Sequence, residues 1–100
     1  IRFADLEIVL DKRKVQVGEE RIDLTPKEFD LLVLLADNPG RSYSRDQLLN
    51  EVWGYEFSGY EHTVNSHINR LRSKIDPDVA NPKYILTTWG IGYRFNDEIR

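Results

Sequence analysis

A chain of 100 residues with 40% hydrophobic and 31% charged residues can build one core but not two, which indicates a single soluble globular domain. Its net charge of −3 argues against a nonspecific nucleic-acid coat protein, although a sequence-specific DNA-binding protein can concentrate positive charge on one face. Without cysteine, disulfides, thiolate metal sites and a thiol nucleophile are excluded, and no stretch approaches the ~20 apolar residues of a membrane-spanning helix. Because the chain lacks methionine and begins at Ile1, it is expected to be either a processed product or a fragment of a longer protein, and we favour the fragment.

The first quarter of the chain alternates apolar and polar residues. This period of two, from Phe3 to Leu24, predicts short, half-buried strands. Turn-forming residues at 11–13 and 18–20 separate the strands. We therefore expect a small antiparallel meander.

A capping box marks the start of the first predicted helix. Thr25 is the expected N-cap, Pro26 occupies the first helical position, and Glu28 stands where its side chain can bond back to the cap. The run from Phe29 to Ala36 is apolar on most sides, which is typical of a central, buried helix. The helix must end before the breakers at residues 38–40.

A second capping box, Ser44 with Gln47, predicts another helix close behind the first. We expect Gly54 to end this helix. Its inward-facing residues are expected to be Leu48, Leu49, Val52 and Trp53. The segment from Gly54 to Glu61, rich in glycine and aromatic residues, is predicted to be an ordered loop that leads into a third helix.

The third helix, residues 61–75, has two contrasting faces. The apolar stripe consists of Val64, Ile68, Leu71 and Ile75. Around the opposite side lie His62, Ser66, Asn69, Arg70 and Ser73, flanked by Asn65, Arg72 and Lys74. No acidic residue occurs between His62 and Ile75. This local positive excess is notable in a chain of negative net charge.

These side chains suit DNA. Asn69 and Arg70 carry the donors and acceptors that contact base edges in a major groove, and Arg72 and Lys74 suit phosphates. His67 lies near the apolar edge, so a packed or phosphate-bonding histidine is favoured over one that contacts a base. The alternative for the helix alone is a basic amphipathic helix that simply faces solvent.

The C-terminal part predicts a β-hairpin. Residues 84–89 and 93–95 are rich in strand-forming residues, and Gly90 to Gly92 separate them. Strands, three helices and a final hairpin make the order of a winged helix-turn-helix domain, in which the third helix enters a groove and the hairpin contacts the flanking backbone or minor groove.

Motifs spread over nearly the whole chain resemble the DNA-binding output domain of OmpR/PhoB-type bacterial response regulators. They are Leu24 to Leu32, Gly40-Arg41 followed by Ser44-Arg45, Val52-Trp53-Gly54, Thr63-Val64 with His67-Ile68 and Arg70-Leu71-Arg72, and Gly90 with Gly92 to Phe95. The resemblance implies an α+β fold over residues 1–100: a four-stranded antiparallel platform, three helices and a C-terminal β-hairpin wing. It implies no catalytic activity, cofactor or metal.

The resemblance also implies a set of DNA contacts. On the helix they fall at Thr63, Asn65, His67, Asn69, Arg70 and Arg72. The position of His62, Ser66 and Lys74 on or beside the same face adds these three residues to the predicted contacts. On the wing they fall at Thr87, Thr88 and Trp89. Trp89 stands where some relatives place an arginine in the minor groove. The DNA contact of the wing is therefore expected from Trp89 itself, from Arg94 or from Lys83.

The resemblance further implies a cytoplasmic bacterial two-component transcription factor. Its missing N-terminal receiver domain would be phosphorylated by a sensor histidine kinase, and it would bind double-stranded DNA as a dimer at direct-repeat promoter sites. The loop between the second and third helices would contact RNA polymerase. Here that loop is Gly54, Tyr55, Glu56, Phe57, Ser58, Gly59 and Tyr60.

Two other classes of function compete with DNA binding. An enzyme is disfavoured, because His62 and His67 are five residues apart rather than four, and because residues 90–92 lack the third glycine and following helix of a dinucleotide loop. A winged helix that binds an acidic protein partner is the second alternative. A steep salt dependence and a preference for particular sequences would distinguish DNA binding from it.

Overall fold

The N-terminal platform is a four-stranded antiparallel sheet, as expected. The computed structural model describes residues 1–54, 61–76, 78 and 80–99. The strands are β1 (Arg2–Phe3), β2 (Leu6–Val9), β3 (Lys14–Val17) and β4 (Glu20–Ile22), hydrogen-bonded in that order. The alternation predicted from the sequence is confirmed in β2, where Leu6 and Ile8 are buried and Val9 is exposed.

Helix α1 (Pro26–Ala36) begins at the predicted capping box. The Thr25 hydroxyl accepts a hydrogen bond from the Glu28 backbone N–H (3.2 Å), and the Thr25 N–H donates to Glu28 Oε1 (3.0 Å). Both bonds satisfy backbone or side-chain groups that would otherwise lack a partner at the helix start. As predicted, the helix is central: most of its apolar side chains are buried in the core.

The second helix is shorter than predicted. Helix α2 (Arg45–Leu48) starts at the Ser44 cap and is continued by a π-helical segment, Leu49–Trp53. The wider turn ends where the Gly54 N–H donates to Leu49 O (3.1 Å) and Asn50 O (3.0 Å), and where Gly54 adopts a positive φ of 95°. A capping box determines where a helix starts, but it carries no signal for the hydrogen-bond pattern further along.

Helix α3 (Glu61–Ile75) has the predicted bounds and the predicted buried stripe. Val64, Ile68, Leu71 and Ile75 are all at most 2% exposed. After the helix, Asp76 Oδ1 accepts hydrogen bonds from the backbone N–H groups of Lys83 (2.6 Å) and Tyr84 (3.0 Å). This buried carboxylate fixes the point at which the chain returns toward the hairpin.

The wing is part of a three-stranded sheet rather than an isolated hairpin. Strands β6 (Ile85–Thr88) and β7 (Gly92–Phe95) form the hairpin, and β5 (Tyr43–Ser44) pairs with the other edge of β7. The sequence pattern does not predict β5, and it places Gly92 in the turn. Gly92 instead lies in β7, opposite both Ser44 and Thr88.

The buried residues in the described ranges form one hydrophobic core. It includes Leu6 and Ile8 from the platform, the buried faces of all three helices, and Ile85 and Phe95 from the wing. Because α3 and the wing share this core with the platform, their relative position is set by packing. The arrangement is the winged helix-turn-helix fold that the element order predicted.

Candidate nucleic-acid interface

The face of helix α3 opposite the buried stripe is open to solvent. Five side chains on it are exposed: His62, Ser66, Asn69, Arg70 and Ser73. The Ser73 hydroxyl donates to the Arg70 carbonyl (2.7 Å), but no described residue forms an ion pair or hydrogen bond with the Arg70 guanidinium. Burying the apolar stripe is what turns these residues outward, so the sequence pattern itself creates the face.

The tip of the wing carries two exposed apolar side chains. Trp89 is 90% exposed and Ile91 is 56% exposed. Behind the tip, Arg94 Nη1 donates to Thr87 O and to Thr88 Oγ1, both at 3.0 Å. Arg94 therefore joins the two strands of the wing. The sequence predicted Arg94 as a DNA contact, and the structure shows that its guanidinium also forms hydrogen bonds within the wing.

His67 lies at the edge of the core, as its helical position predicted. Its ring meets Trp53 edge to face, with ring centroids 4.8 Å apart. Its Nδ1 lies 2.8 Å from the Thr63 carbonyl oxygen. Because a carbonyl oxygen only accepts, Nδ1 is the donor in this contact, and Nε2 is the ring nitrogen that remains for a bond outside the domain.

Arg72 lies between α3 and the wing, where its exposed fraction is 9%. Nε donates to Ile85 O (3.0 Å), Nη2 donates to Thr87 Oγ1 (2.8 Å), and the guanidinium stands over the Tyr93 ring at 5.3 Å. Burial lowers the pKa of Arg72, and the nearby carboxylate of Asp76 partly opposes that effect. An arginine so placed keeps its charge at neutral pH. The phosphate contact predicted for it remains a prediction, because these bonds engage its guanidinium inside the domain.

Lys74 is likewise engaged within the domain. Its Nζ donates to Glu28 Oε1 at 2.6 Å, and the Glu28 side chain is fully buried. Burial raises the pKa of Glu28, but the bonds from Lys74 and from the Thr25 N–H more than offset it, so the pKa lies below its ordinary value. Sequence position alone placed Lys74 beside the exposed face, whereas the structure pairs it with the first helix.

Asn65 and Tyr93 connect the helix to the wing directly. The Tyr93 hydroxyl donates to Asn65 Oδ1 at 2.7 Å. Both residues line a cleft of about 310 Å³ between α3 and the wing, together with Arg45 at the start of α2. Tyr93 and Arg45 were absent from the predicted contacts. In the sequence, Arg45 and Tyr93 are marked only by belonging to two of the family motifs. Membership of a motif does not show which side chain each residue contacts.

The predicted RNA polymerase loop falls almost wholly outside the described residues. Only Gly54 is described, and it ends the π-helical segment. Residues 55–60 lie beyond what the structure describes. The described ranges contain no cluster of histidine, aspartate or glutamate able to hold a metal ion, and none of their helices is long and apolar enough to cross a membrane.

Comparison with known sequences connects this geometry to a family. The family model described as "Transcriptional regulatory protein, C terminal" matches residues 18–95. Transcriptional regulatory protein SrrA of Staphylococcus aureus is 43% identical over 103 residues, which cover 98% of this chain and 43% of SrrA. The chain thus spans less than half the length of this relative.

Solved structures agree in fold. Response regulator DrrB, an OmpR/PhoB homolog of Thermotoga maritima, superposes with a TM-score of 0.89 and 38% identity over 96% of this chain and 43% of DrrB. The DNA-binding domain of Klebsiella pneumoniae RstA, in complex with the RstA box, has a TM-score of 0.86 and 35% identity, covering 96% of this chain and 95% of that domain. The chain belongs to the family of C-terminal domains of OmpR/PhoB-type transcriptional regulatory proteins.

Proposed function

We propose that this domain binds specific double-stranded DNA sequences and regulates transcription as the output domain of a two-component response regulator. The observation that carries the proposal is the face of α3: exposed, free of acidic residues from 62 to 75, and centred on an arginine without a partner among the described residues. Helix α3 lies in the major groove, and the wing contacts the flanking backbone or minor groove. RstA, a relative of the same fold, forms a complex with its DNA box.

The side chains divide into those that contact bases and those that contact the backbone. Asn69 and Arg70 are exposed at the centre of the face and suit base edges. Contacts to phosphate, sugar or groove walls fall to the surrounding residues: His62, Thr63, Asn65, Ser66, His67, Arg72 and Lys74 on the helix, and Thr87, Thr88, Trp89 and Arg94 on the wing.

The parent protein extends the proposal. We infer a receiver domain on the same chain, phosphorylated by a sensor histidine kinase, and a cytoplasmic dimer that binds direct-repeat promoter sites. Residues 54–60 contact RNA polymerase in this scheme. Support comes from family membership and from the share of SrrA and DrrB that this chain spans, 43% of each. The domain itself performs no catalysis in this proposal.

The test is selection from a random DNA library, followed by titration of the selected duplex and a scrambled duplex at two salt concentrations. We expect a motif repeated at about one helical turn. We also expect log affinity to fall with log salt at a slope of roughly −0.9 per phosphate contacted. If no sequence is enriched and binding follows only negative charge, the domain is an interaction module for an acidic partner.

Arg70→Ala identifies the base contact. We expect it to weaken binding of the selected duplex by roughly 1–3 kcal/mol and to relax the preference at one base pair, because a bidentate contact is lost. Arg21→Ala is the matched control, since Arg21 is an exposed arginine on the platform. Unchanged discrimination in Arg70→Ala would remove Arg70 from the base-contacting set.

A further inference from the structure

Helix α1 has a second apolar stripe, on the side that faces solvent. Its core side carries three fully buried leucines, Leu31, Leu32 and Leu35. The opposite side carries the outer stripe, which has the spacing i, i+3, i+4, i+7 and consists of Asp30, Val33, Leu34 and Asp37. Val33 and Leu34 are only half-buried. The apolar run that predicted a central helix thus extends onto a side that the domain does not cover.

The outer stripe forms one side of a groove of about 350 Å³ between α1 and the turn that follows β2. Leu10, which is 47% exposed, lines the groove from the platform, and Phe29 lines it from α1. In the described part of the chain, large exposed apolar side chains occur in two places. One is the wing tip, which has a proposed DNA contact. The other is this end of the platform, with Ile1, Val9 and Leu10.

The groove faces away from the helix proposed to contact DNA. Glu28, on the core side of α1, accepts a hydrogen bond from Lys74 of α3 at 2.6 Å. The outer stripe lies on the opposite side of α1 from Glu28. Helix α3 and the groove therefore lie on opposite sides of α1, and a protein bound in the groove does not compete with DNA for α3.

Arg13 is held at the edge of this groove by a strained backbone and three contacts. Its φ is 51°, in the left-handed region that arginine rarely adopts. Nη2 donates to Asp30 Oδ1 (3.0 Å) and to Pro26 O (3.3 Å), and the guanidinium lies 4.4 Å from the centroid of the Phe29 ring. Its Nε and Nη1 have no acceptor among the described residues. Backbone strain of this kind is found where it positions a side chain for contact.

The two ends of the outer stripe carry complementary charges. One end has Arg13 beside Asp30. At the other end the Asp37 carboxylate is exposed and has no ion-pair or hydrogen-bond partner among the described residues. The stripe is symmetric about the midpoint between Val33 and Leu34. A two-fold axis through that point would bring the apolar residues of two copies together and would place Arg13 of each copy against Asp37 of the other.

We propose that this groove is an interface between two copies of the domain, with their α1 helices antiparallel across a two-fold axis. The second copy supplies aliphatic side chains for the stripe and a carboxylate for the open side of the Arg13 fork. Copies bound at a direct repeat point the same way along the duplex, so this two-fold contact cannot relate neighbours there. It instead joins copies bound at separate sites. That consequence rests on the proposed function, whereas the interface itself does not.

Sedimentation equilibrium of the domain, without DNA, from about 0.05 to 1 mM tests the interface. The groove is small, so we expect weak association with a dissociation constant of roughly 0.1–1 mM. Asp37→Arg should weaken association by at least about tenfold, because Arg13 then faces an arginine. The fold should tolerate this change, since Asp37 is exposed and a cation is favourable at the end of a helix.

Glu19→Arg is the matched control for net charge. Glu19 is exposed and lies beyond the opposite end of β3 from Arg13. It makes the same change of charge as Asp37→Arg, so we expect it to associate like the unaltered domain. Equal effects of the two variants, or no effect of Asp37→Arg, would overturn the proposed interface.

A mixing experiment tests the pairing of Arg13 with Asp37. Arg13→Asp places a carboxylate opposite Asp37 of the second copy, so this variant alone should stay monomeric. Aspartate tolerates a positive φ, and thermal unfolding checks that the variant is folded. An equimolar mixture of Arg13→Asp and Asp37→Arg has an attractive pair at each end, so association should return. If the mixture stays monomeric while both variants are folded, the pairing is overturned; the test with Asp37→Arg does not depend on this variant.

Adding the selected DNA duplex separates the interface from the proposed function. Asp37→Arg should bind the duplex as tightly as the unaltered domain, but only the unaltered domain should form complexes that contain two duplexes. Specific binding without such complexes overturns the joining of separate sites. A domain that shows no sequence preference overturns the proposed function and leaves the interface standing. A domain that stays monomeric up to about 1 mM overturns the interface and leaves the groove to a different protein.

Discussion

At the scale of single residues, Gly92 shows how one missing side chain lets the wing join the rest of the domain. Gly92 lies in β7 between Ser44 and Thr88. A Cβ atom at this position would overlap the Tyr43 carbonyl oxygen and lie 3.1 Å from Ser44 Cα. Its role is thus close backbone approach, whereas Gly90 in the adjoining turn is needed for its positive φ of 79°.

We expect Gly92→Ala to lower the free energy of unfolding by about 2–4 kcal/mol, because the added methyl group must push β5 away from β7. Gly18→Ala is the matched control: nothing lies within 4 Å of its Cβ position, and only its positive φ of 61° adds strain. That strain costs roughly 1–2 kcal/mol. Urea titration of the three proteins measures the difference. Equal losses in both variants would show that β5 does not constrain position 92.

At the scale of elements, Arg72 attaches the recognition helix to the wing. We expect Arg72→Ala to reduce the free energy of unfolding by about 2–4 kcal/mol, since it leaves the carbonyl of Ile85 and the hydroxyl of Thr87 without their donor. Arg70→Ala, two residues away on the exposed face, should change stability by no more than about 0.5 kcal/mol. The comparison needs only chemical unfolding curves. Should Arg72→Ala keep its stability yet weaken binding to every DNA sequence equally, a phosphate contact would be its main role.

The elements that the sequence predicted well are those with local signals. Thr25 with Glu28 and Ser44 with Gln47 marked two helix starts, and the apolar stripe marked α3. Strand β5 has only two residues, and it exists because Tyr43 pairs with Tyr93, fifty positions later in the chain. A pattern confined to neighbouring residues carries no signal for such a pairing. The π-helical segment was missed for a similar reason, since its wider hydrogen bonds have no sequence signature.

The candidate site follows the same division. The outward direction of Arg70 follows from helical periodicity, because it needs only the spacing of the buried stripe. The hydrogen bonds of Arg72 and Lys74 within the domain do not follow from helical periodicity, because their partners, Ile85 and Glu28, lie 13 and 46 residues away in the sequence. Counting cations on a helical wheel therefore does not show which of them also bond to other parts of the domain.

At the scale of the whole molecule, the Glu28 and Lys74 pair joins the first helix to the recognition helix and makes stability depend on pH. The pKa of Glu28 is lowered from 4.5 in the folded state, so below that value the unfolded chain binds more protons than the folded one. The stabilisation is complete above about pH 4.5 and is lost as the pH falls through the lower pKa of the folded state.

Glu28→Gln keeps the capping geometry but removes this charge. We expect the variant to be about 1–3 kcal/mol less stable at pH 7, with a shallower loss of stability in acid. Thermal unfolding of both proteins between pH 7 and pH 3 measures this difference, and parallel curves would show that Glu28 does not link protonation to folding.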